Sequence, residues 1–196
     1  MSKKTNVQTI VGMGILTAII IVLQGVGSTI RFGTFSITLV LAPIIIGAAL
    51  YGWKAGAWLG LVFGGMVLAT DAGAFLAINV PGTIICCLLK GMLAGLAAGF
   101  VYKLLEKKNQ LVAVISAGVA CPVVNTGVFL LGCLVFFLDT IKEWSAASPY
   151  PKVGEYFLFG FVGLNFLVEL GINLVLSTAI VRILKIVKKS SAASAE

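Results

Sequence analysis

The sequence predicts an all-α membrane protein, a bundle of six transmembrane helices that forms a single domain over residues 1–196. Two features of its composition favour this fold: 60% of the residues are hydrophobic, and only 11% are charged. Soluble domains contain about 25% charged residues. Apolar stretches recur along the whole chain, and at about 20 residues per membrane crossing there is room for about six. The connections between them are too short for a second domain.

Six apolar stretches are predicted to be membrane helices. In chain order they cover residues 10–27, 35–51, 55–70, 83–103, 111–138 and 156–181. The first stretch follows Lys3 and Lys4, as the core of a signal peptide follows its basic residues. Its apolar run is longer than the usual core of about 7–15 residues, and five further stretches follow it. We therefore expect a first helix that is retained.

The distribution of charge predicts the orientation of the bundle in a lipid bilayer. Basic residues gather at one set of helix ends, namely Lys3, Lys4, Lys54, Lys103, Lys107, Lys108, Arg182, Lys185, Lys188 and Lys189. The opposite ends mix Arg31, Lys142 and Lys152 with acidic residues. By the positive-inside rule, both termini are expected on the cytoplasmic side of the cell membrane. The net charge of +7 is thus an orientation signal, and no nucleic-acid partner is expected.

Small residues recur every fourth position in three of the predicted helices. The third and fourth helices each carry a glycine ladder, Gly56, Gly60 and Gly64 in one and Gly91, Gly95 and Gly99 in the other. Such faces let helices approach closely in a membrane, and here packing within the chain is the favoured interpretation. Gly14 and Ala18 repeat the spacing in the first helix, where docking of a partner protein is an equally good explanation.

Enzymatic and metal-binding functions are not supported by the residue types present. The chain contains no histidine, and its four cysteines, Cys86, Cys87, Cys121 and Cys133, lie in apolar stretches without the spacing of metal ligands. No nucleophile stands beside a general base. We therefore expect neither a cofactor nor a metal, and the protein is not predicted to be an enzyme.

The sixth predicted helix carries a row of polar residues. Asn165, Glu169 and Asn173 recur every four residues, and Ser177 extends the row. On a helix the first three lie within about 80° of one face. Polar groups inside a membrane are costly unless they face the bundle interior, a partner or a water-filled cavity. The row is therefore predicted to point inward, where a membrane protein binds its substrate.

Further polar residues fall in the fourth and fifth helices and in a long connection. Lys90 is predicted roughly 10 Å below the outer end of its helix, and Asn125 and Glu169 lie roughly 20 Å deep. Lys90 has three possible roles: it binds a ligand, pairs with Glu169, or extends to the membrane surface. The connections over residues 71–82, which contain Asn79, and 139–155 are expected to cover a pocket.

The order of these features resembles the substrate-binding S component of an energy-coupling-factor (ECF) vitamin transporter. The resemblance covers nearly the whole chain. It lies in the small-residue first helix, the stretch from Phe35 to Pro43, the stretch from Gly47 to Gly56, and the glycine-rich stretch from Leu89 to Gly99 with the basic end of that helix.

The resemblance implies a prokaryotic importer subunit that binds a vitamin near the outer face. It would associate with a transmembrane coupling subunit and two cytoplasmic ATPases, and the chain itself has no G-x-x-x-x-G-K-[ST] phosphate loop. The family's docking surface, an Ala-xxx-Ala pattern in the first helix, maps to Gly14 and Ala18, with glycine replacing the first alanine. Its ligand contacts come from later helices and outer loops, where Asn79, Lys90, Asn125 and Asn165 lie.

These observations predict a pocket that opens outward between the fourth, fifth and sixth helices. Lys90 supplies a cationic donor, and Asn125 and Asn165 supply donors and acceptors. Glu169 lies deeper and is expected to orient Lys90 or an amide. A small ligand with a carboxylate suits this set, so pantothenate is the first expectation and riboflavin the second. The alternative is a stand-alone secondary transporter driven by protonation of Glu169.

Overall fold

The structure is a computed structural model that describes residues 3–29, 31–32, 35–36 and 40–193. Two short strands, β1 (Arg31–Phe32) and β2 (Phe35–Ser36), pair in antiparallel fashion. A π-helical segment, Tyr156–Phe161, lies between the last two helices. The α-helices in chain order are α1 (Lys3–Gly27), α2 (Leu41–Tyr51), α3 (Trp53–Thr70), α4 (Gly73–Leu76), α5 (Val80–Leu105), α6 (Gln110–Phe136), α7 (Leu138–Ala146), α8 (Val153–Glu155) and α9 (Gly163–Ala193).

Five of these helices contain segments long and apolar enough to cross a membrane. The segments are Val7–Gly27, Trp53–Thr70, Val80–Leu105, Gln110–Phe136 and Asn165–Val187. The prediction of an all-helical membrane protein is confirmed to this extent. The second predicted helix is shorter than expected. α2 has 11 residues, or about 16 Å of helix against a hydrocarbon core of about 30 Å.

The predicted start of that second helix at residue 35 was wrong. Phe35 and Ser36 form β2, and the helix begins at Leu41. Apolar and polar residues alternate from Phe35 to Leu39, and this period of two is typical of a strand. The helical pattern begins only at the continuous apolar run of α2, whose residues are almost all buried inside the bundle.

A single glycine connects α2 to α3. Gly52 has a φ of +91°, a backbone conformation that residues with a Cβ rarely adopt. Its N–H donates to the carbonyl of Ala48 and completes the last turn of α2. The tight turn sends α3 back alongside α2, and Ile45, Leu59 and Phe63 are buried in the shared core.

The glycine ladders hold α3 against α5, as predicted. A methyl group added at Gly56 or Gly60 would collide with the backbone carbonyl of Gly95 or Gly91, respectively. A methyl group at Gly64 would likewise meet the carbonyl of Cys87. The two backbones are therefore in direct contact, and the side chains that follow Cys87 on α5 are held at a fixed distance from α3.

The two long connections contain short helices that meet at one end of the bundle. α4 lies between α3 and α5 in the chain, and α7 lies between α6 and α9. We call the end of the bundle where α4 and α7 meet the loop-rich end. The Phe75 ring of α4 lies 4.9 Å from the Phe137 ring and 5.7 Å from the Trp144 ring of α7, measured between centroids. Edge-to-face aromatic pairs of this kind contribute about 0.5–1.5 kcal/mol each beyond the area they bury. These aromatic contacts hold the two connections together.

Candidate functional site

A cavity lies below the loop-rich end, among α1, α3, α5, α6 and α9. Its empty volume, which includes open solvent at its mouth, is about 760 Å³. The aromatic residues of its wall are Phe63, Phe75, Phe129 and Phe137. Its polar and charged residues are Gln24, Asp71, Thr83, Lys90, Asn125, Thr126, Asn165 and Glu169.

Four of the five residues predicted to bind a ligand line this one cavity. They are Lys90 on α5, Asn125 on α6, and Asn165 and Glu169 on α9. The expected pocket between α5, α6 and α9 is therefore present, although α1 and α3 complete its wall. Two connections were predicted to cover the pocket. The first, residues 71–82, lines the cavity through Phe75. The second, residues 139–155, contacts Phe75 through Trp144.

Asn79, the fifth predicted residue, lies away from the cavity. Its Oδ1 accepts a hydrogen bond of 3.0 Å from the N–H of Gly82 and caps the start of α5. Its backbone carbonyl accepts one of 2.7 Å from the Thr83 hydroxyl. An asparagine just before a proline-containing first turn is a common helix start. That pattern explains the position of Asn79 without a ligand.

The Lys90 ammonium lies inside the cavity against aromatic rings. Its Nζ is 4.8 Å from the centroid of Phe129 and 6.0 Å from that of Phe63. In the described part of the chain, no carboxylate oxygen lies within 4.0 Å of Nζ. The pairing with Glu169 is thus not formed, and Lys90 is half-buried at the cavity wall. Cation–π contacts stabilise the charge by about 0.5–2 kcal/mol and leave its N–H donors for a ligand.

The polar row of α9 faces the interior, as predicted, and it has two halves. In the outer half, Asn165 donates a long hydrogen bond of 3.5 Å to a carboxylate oxygen of Glu169. The residue Glu169 is 3% exposed. In the inner half, Asn173 donates to the carbonyl of Glu169 at 2.9 Å, and Ser177 donates to that of Asn173 at 2.8 Å. The inner half packs against Gly118 of α6. Only the outer half is available to a ligand.

Two buried acceptors of the cavity have no hydrogen-bond partner. Oδ1 of Asn125 and Oδ1 of Asn165 are both inaccessible to solvent, and neither accepts a hydrogen bond from a described residue. An unsatisfied buried polar group costs about 1–3 kcal/mol. A ligand with O–H or N–H groups would remove that cost on binding. Pro122 lies inside α6, one turn before Asn125, and its missing backbone N–H leaves one hydrogen bond of the helix unformed.

Gln24 and Asp71 are among the polar residues of the cavity wall that sequence reasoning missed. Gln24 of α1 is 2% exposed and donates through Nε2 to Oδ2 of Asp71 at 2.6 Å. A signal existed in the sequence, because Gln24 is a lone amide in the apolar run of the first helix. Asp71 was assigned only to a connection, but it directly follows α3 and thereby reaches the cavity mouth.

The predicted docking residues Gly14 and Ala18 are both on the exposed surface of α1. A methyl group added at Gly14 would meet no atom within 4 Å. Gly12, two residues earlier, behaves in the opposite way, because a methyl group there would collide with the Tyr51 side chain of α2. One face of α1 thus packs on the bundle, while the face with Gly14 and Ala18 is open.

Comparisons with known proteins agree with this architecture. The family model described as "ECF transporter, substrate-specific component" matches residues 8–181. The pantothenic acid transporter PanT of Lactococcus lactis subsp. cremoris (strain MG1363) is 30% identical over 197 residues, which cover 91% of this chain and 94% of that protein. No solved structure matches the chain. The chain therefore belongs to the family of substrate-specific components of ECF transporters, and it is a membrane transport subunit.

Proposed function

We propose that this chain is the pantothenate-binding subunit of an ECF importer and that it binds pantothenate in the cavity around Lys90. The observation that carries the proposal is the Lys90 ammonium, which lies in the cavity against aromatic rings with no carboxylate within ion-pair distance among the described residues. A cation held in this way is available to an anionic ligand. The similarity to a pantothenic acid transporter supports the choice of ligand.

The functional groups of pantothenate match the polar groups of the cavity. Pantothenate has one carboxylate, one amide and two hydroxyl groups. Its carboxylate is expected to accept hydrogen bonds from Lys90, and its O–H and N–H groups are expected to donate to Asn125 and Asn165, whose oxygens lack partners. Riboflavin, the second candidate, carries no carboxylate and would leave the ammonium of Lys90 without an anion.

Energy for transport is expected to come from partner proteins, namely a transmembrane coupling subunit and two cytoplasmic ATPases. The open face of α1 around Gly14 and Ala18 is the proposed docking surface for the coupling subunit, because small residues let a partner helix approach closely. A stand-alone transporter driven by protonation of Glu169 needs no such partner. Uptake measured in cells with and without the ATPase subunits separates the two mechanisms.

We further propose six membrane passages with both termini in the cytoplasm. The short helix α2 is expected to supply the return passage between α1 and α3. An even number of passages brings both termini to the same side. The basic residues at that end of the bundle support the cytoplasm as that side.

Titration calorimetry on the detergent-solubilised protein tests the substrate assignment. Pantothenate is expected to bind in the nanomolar to low micromolar range, and riboflavin is expected to bind at least about a hundredfold more weakly, a difference of about 2.7 kcal/mol. Equal affinities, or tighter binding of riboflavin, would contradict the assignment. Mass spectrometry of the molecule that copurifies with the protein provides an independent check.

A further inference from the structure

The side chain of Gln24 is held in one orientation at the cavity wall. It lies on α1, is 2% exposed, and lines the cavity. Its Nε2 is 2.6 Å from Oδ2 of Asp71 and 3.2 Å from the Thr70 hydroxyl. Both contacts come from the end of α3, so this amide links the first helix to the third beside the cavity.

The chemistry of these partners determines which end of the Gln24 amide faces them. An ionised carboxylate only accepts hydrogen bonds, so the atom that contacts Asp71 must be the amide nitrogen. The single hydroxyl proton of Thr70 is directed to the carbonyl of Met66 or to Asp71, so Thr70 also accepts from Gln24. Oε1 of Gln24 is therefore the free end, and no described residue donates a hydrogen bond to it.

We propose that Gln24 is a specificity-determining residue of the cavity, whose Oε1 accepts a hydrogen bond from a donor group of the ligand. The inference rests on the proposed function and deepens it. Together with Oδ1 of Asn125 and of Asn165, Gln24 gives the described part of the cavity wall three amide acceptors beside the ammonium of Lys90. The ligand class selected carries an anionic group for Lys90 and three O–H or N–H donors for the amide oxygens. Pantothenate has two O–H groups and one N–H group.

Binding of an analogue series to two variants tests the inference. The ligands are pantothenate and three analogues that each lack one donor. Two of the analogues lack one hydroxyl group each, and the third carries a methyl group on the amide nitrogen. The proteins are the wild type, Gln24→Met, which keeps the length of the side chain but removes the amide, and Gln110→Met as a matched control outside the cavity. Affinities come from titration calorimetry, and melting temperatures in detergent report folding. If Gln24→Met does not fold, Gln24→Asn withdraws the amide from the cavity while keeping a polar group.

The expected result is a selective loss. Gln24→Met weakens pantothenate binding at least about tenfold but weakens one of the three analogues less than about threefold, because that analogue already lacks the donor. Gln110→Met leaves all four affinities unchanged. If the affinities of all four ligands fall equally, the role of Gln24 is purely structural. If all four affinities are unchanged, Gln24 has no role in binding. Either result overturns the inference. If the wild type binds pantothenate, the proposed function stands in both cases. If it does not bind pantothenate, the proposed function and the inference fail together.

Discussion

The ammonium of Lys90 lies over the face of Phe129, with Nζ 4.8 Å from the ring centroid. The two residues come from α5 and α6, and both line the cavity. An aromatic ring attracts a cation but forms no directed N–H···O bond with it. The contact therefore leaves the N–H donors of Lys90 free for a ligand.

Asn125→Leu should stabilise the unliganded protein and weaken ligand binding. The substitution removes a buried amide oxygen that has no partner and replaces it with an apolar side chain of similar size. Such an unsatisfied group costs about 1–3 kcal/mol, so the melting temperature without ligand is expected to rise. Pantothenate affinity is expected to fall at least about tenfold. A lower melting temperature together with unchanged affinity would show that Asn125 is a structural residue.

Gly14→Leu should abolish uptake without affecting ligand binding. A side chain at this position meets no atom of the chain within 4 Å, but it would hold a partner helix away from α1. Uptake in cells and calorimetry on purified protein measure the two effects separately. Gly65→Leu is the matched control, because Gly65 on α3 is equally open and is expected to tolerate leucine in both assays. Loss of binding in Gly14→Leu would identify this face as an internal packing surface.

Gly60→Ala should lower the melting temperature of the protein in detergent. Its new methyl group would collide with the backbone carbonyl of Gly91, and overpacking of this kind typically costs about 1–3 kcal/mol. Gly65→Ala on the same helix has no such contact and gains about 1 kcal/mol of helix propensity. Its melting temperature is expected to stay the same or rise. Equal changes in the two variants would argue against close contact of α3 with α5.

Single cysteines at Ser2 and at Ala147 should be labelled from opposite sides of the membrane. The proposed orientation puts the first in the cytoplasm and the second outside. Background labelling is expected to be low, because Cys86, Cys87, Cys121 and Cys133 are all buried. A membrane-impermeant maleimide added to intact cells should react at residue 147 alone. Reaction at both positions would contradict the orientation.

Those parts of the site that follow from helical periodicity were predictable from the sequence. The four-residue spacing of Asn165 and Glu169 sets both on one face, and the cost of exposing a carboxylate to lipid turns that face inward. The glycine ladders likewise predicted close helix packing within the chain, although not which helices meet. Both arguments concern one helix at a time and need no knowledge of its neighbours.

Features that depend on several elements together were not predictable in this way. An asparagine at a helix start and an asparagine in a binding site look the same in sequence, and Asn79 proved to cap α5. The contact of Gln24 with Asp71 joins residues 47 positions apart. The meeting of Phe75 with Trp144 depends on how two connections fold over the bundle. Each outcome is decided by tertiary packing.

The most direct test of the central claim compares pantothenate with pantothenol, in which an alcohol replaces the carboxylate, on the wild type and on Lys90→Met. If Lys90 binds the carboxylate, the substitution weakens pantothenate binding at least about tenfold and pantothenol binding less than about threefold. Lys103→Met, at the other end of α5, serves as the control and should change neither affinity. Unchanged pantothenate affinity in Lys90→Met, measured by titration calorimetry, would contradict the account.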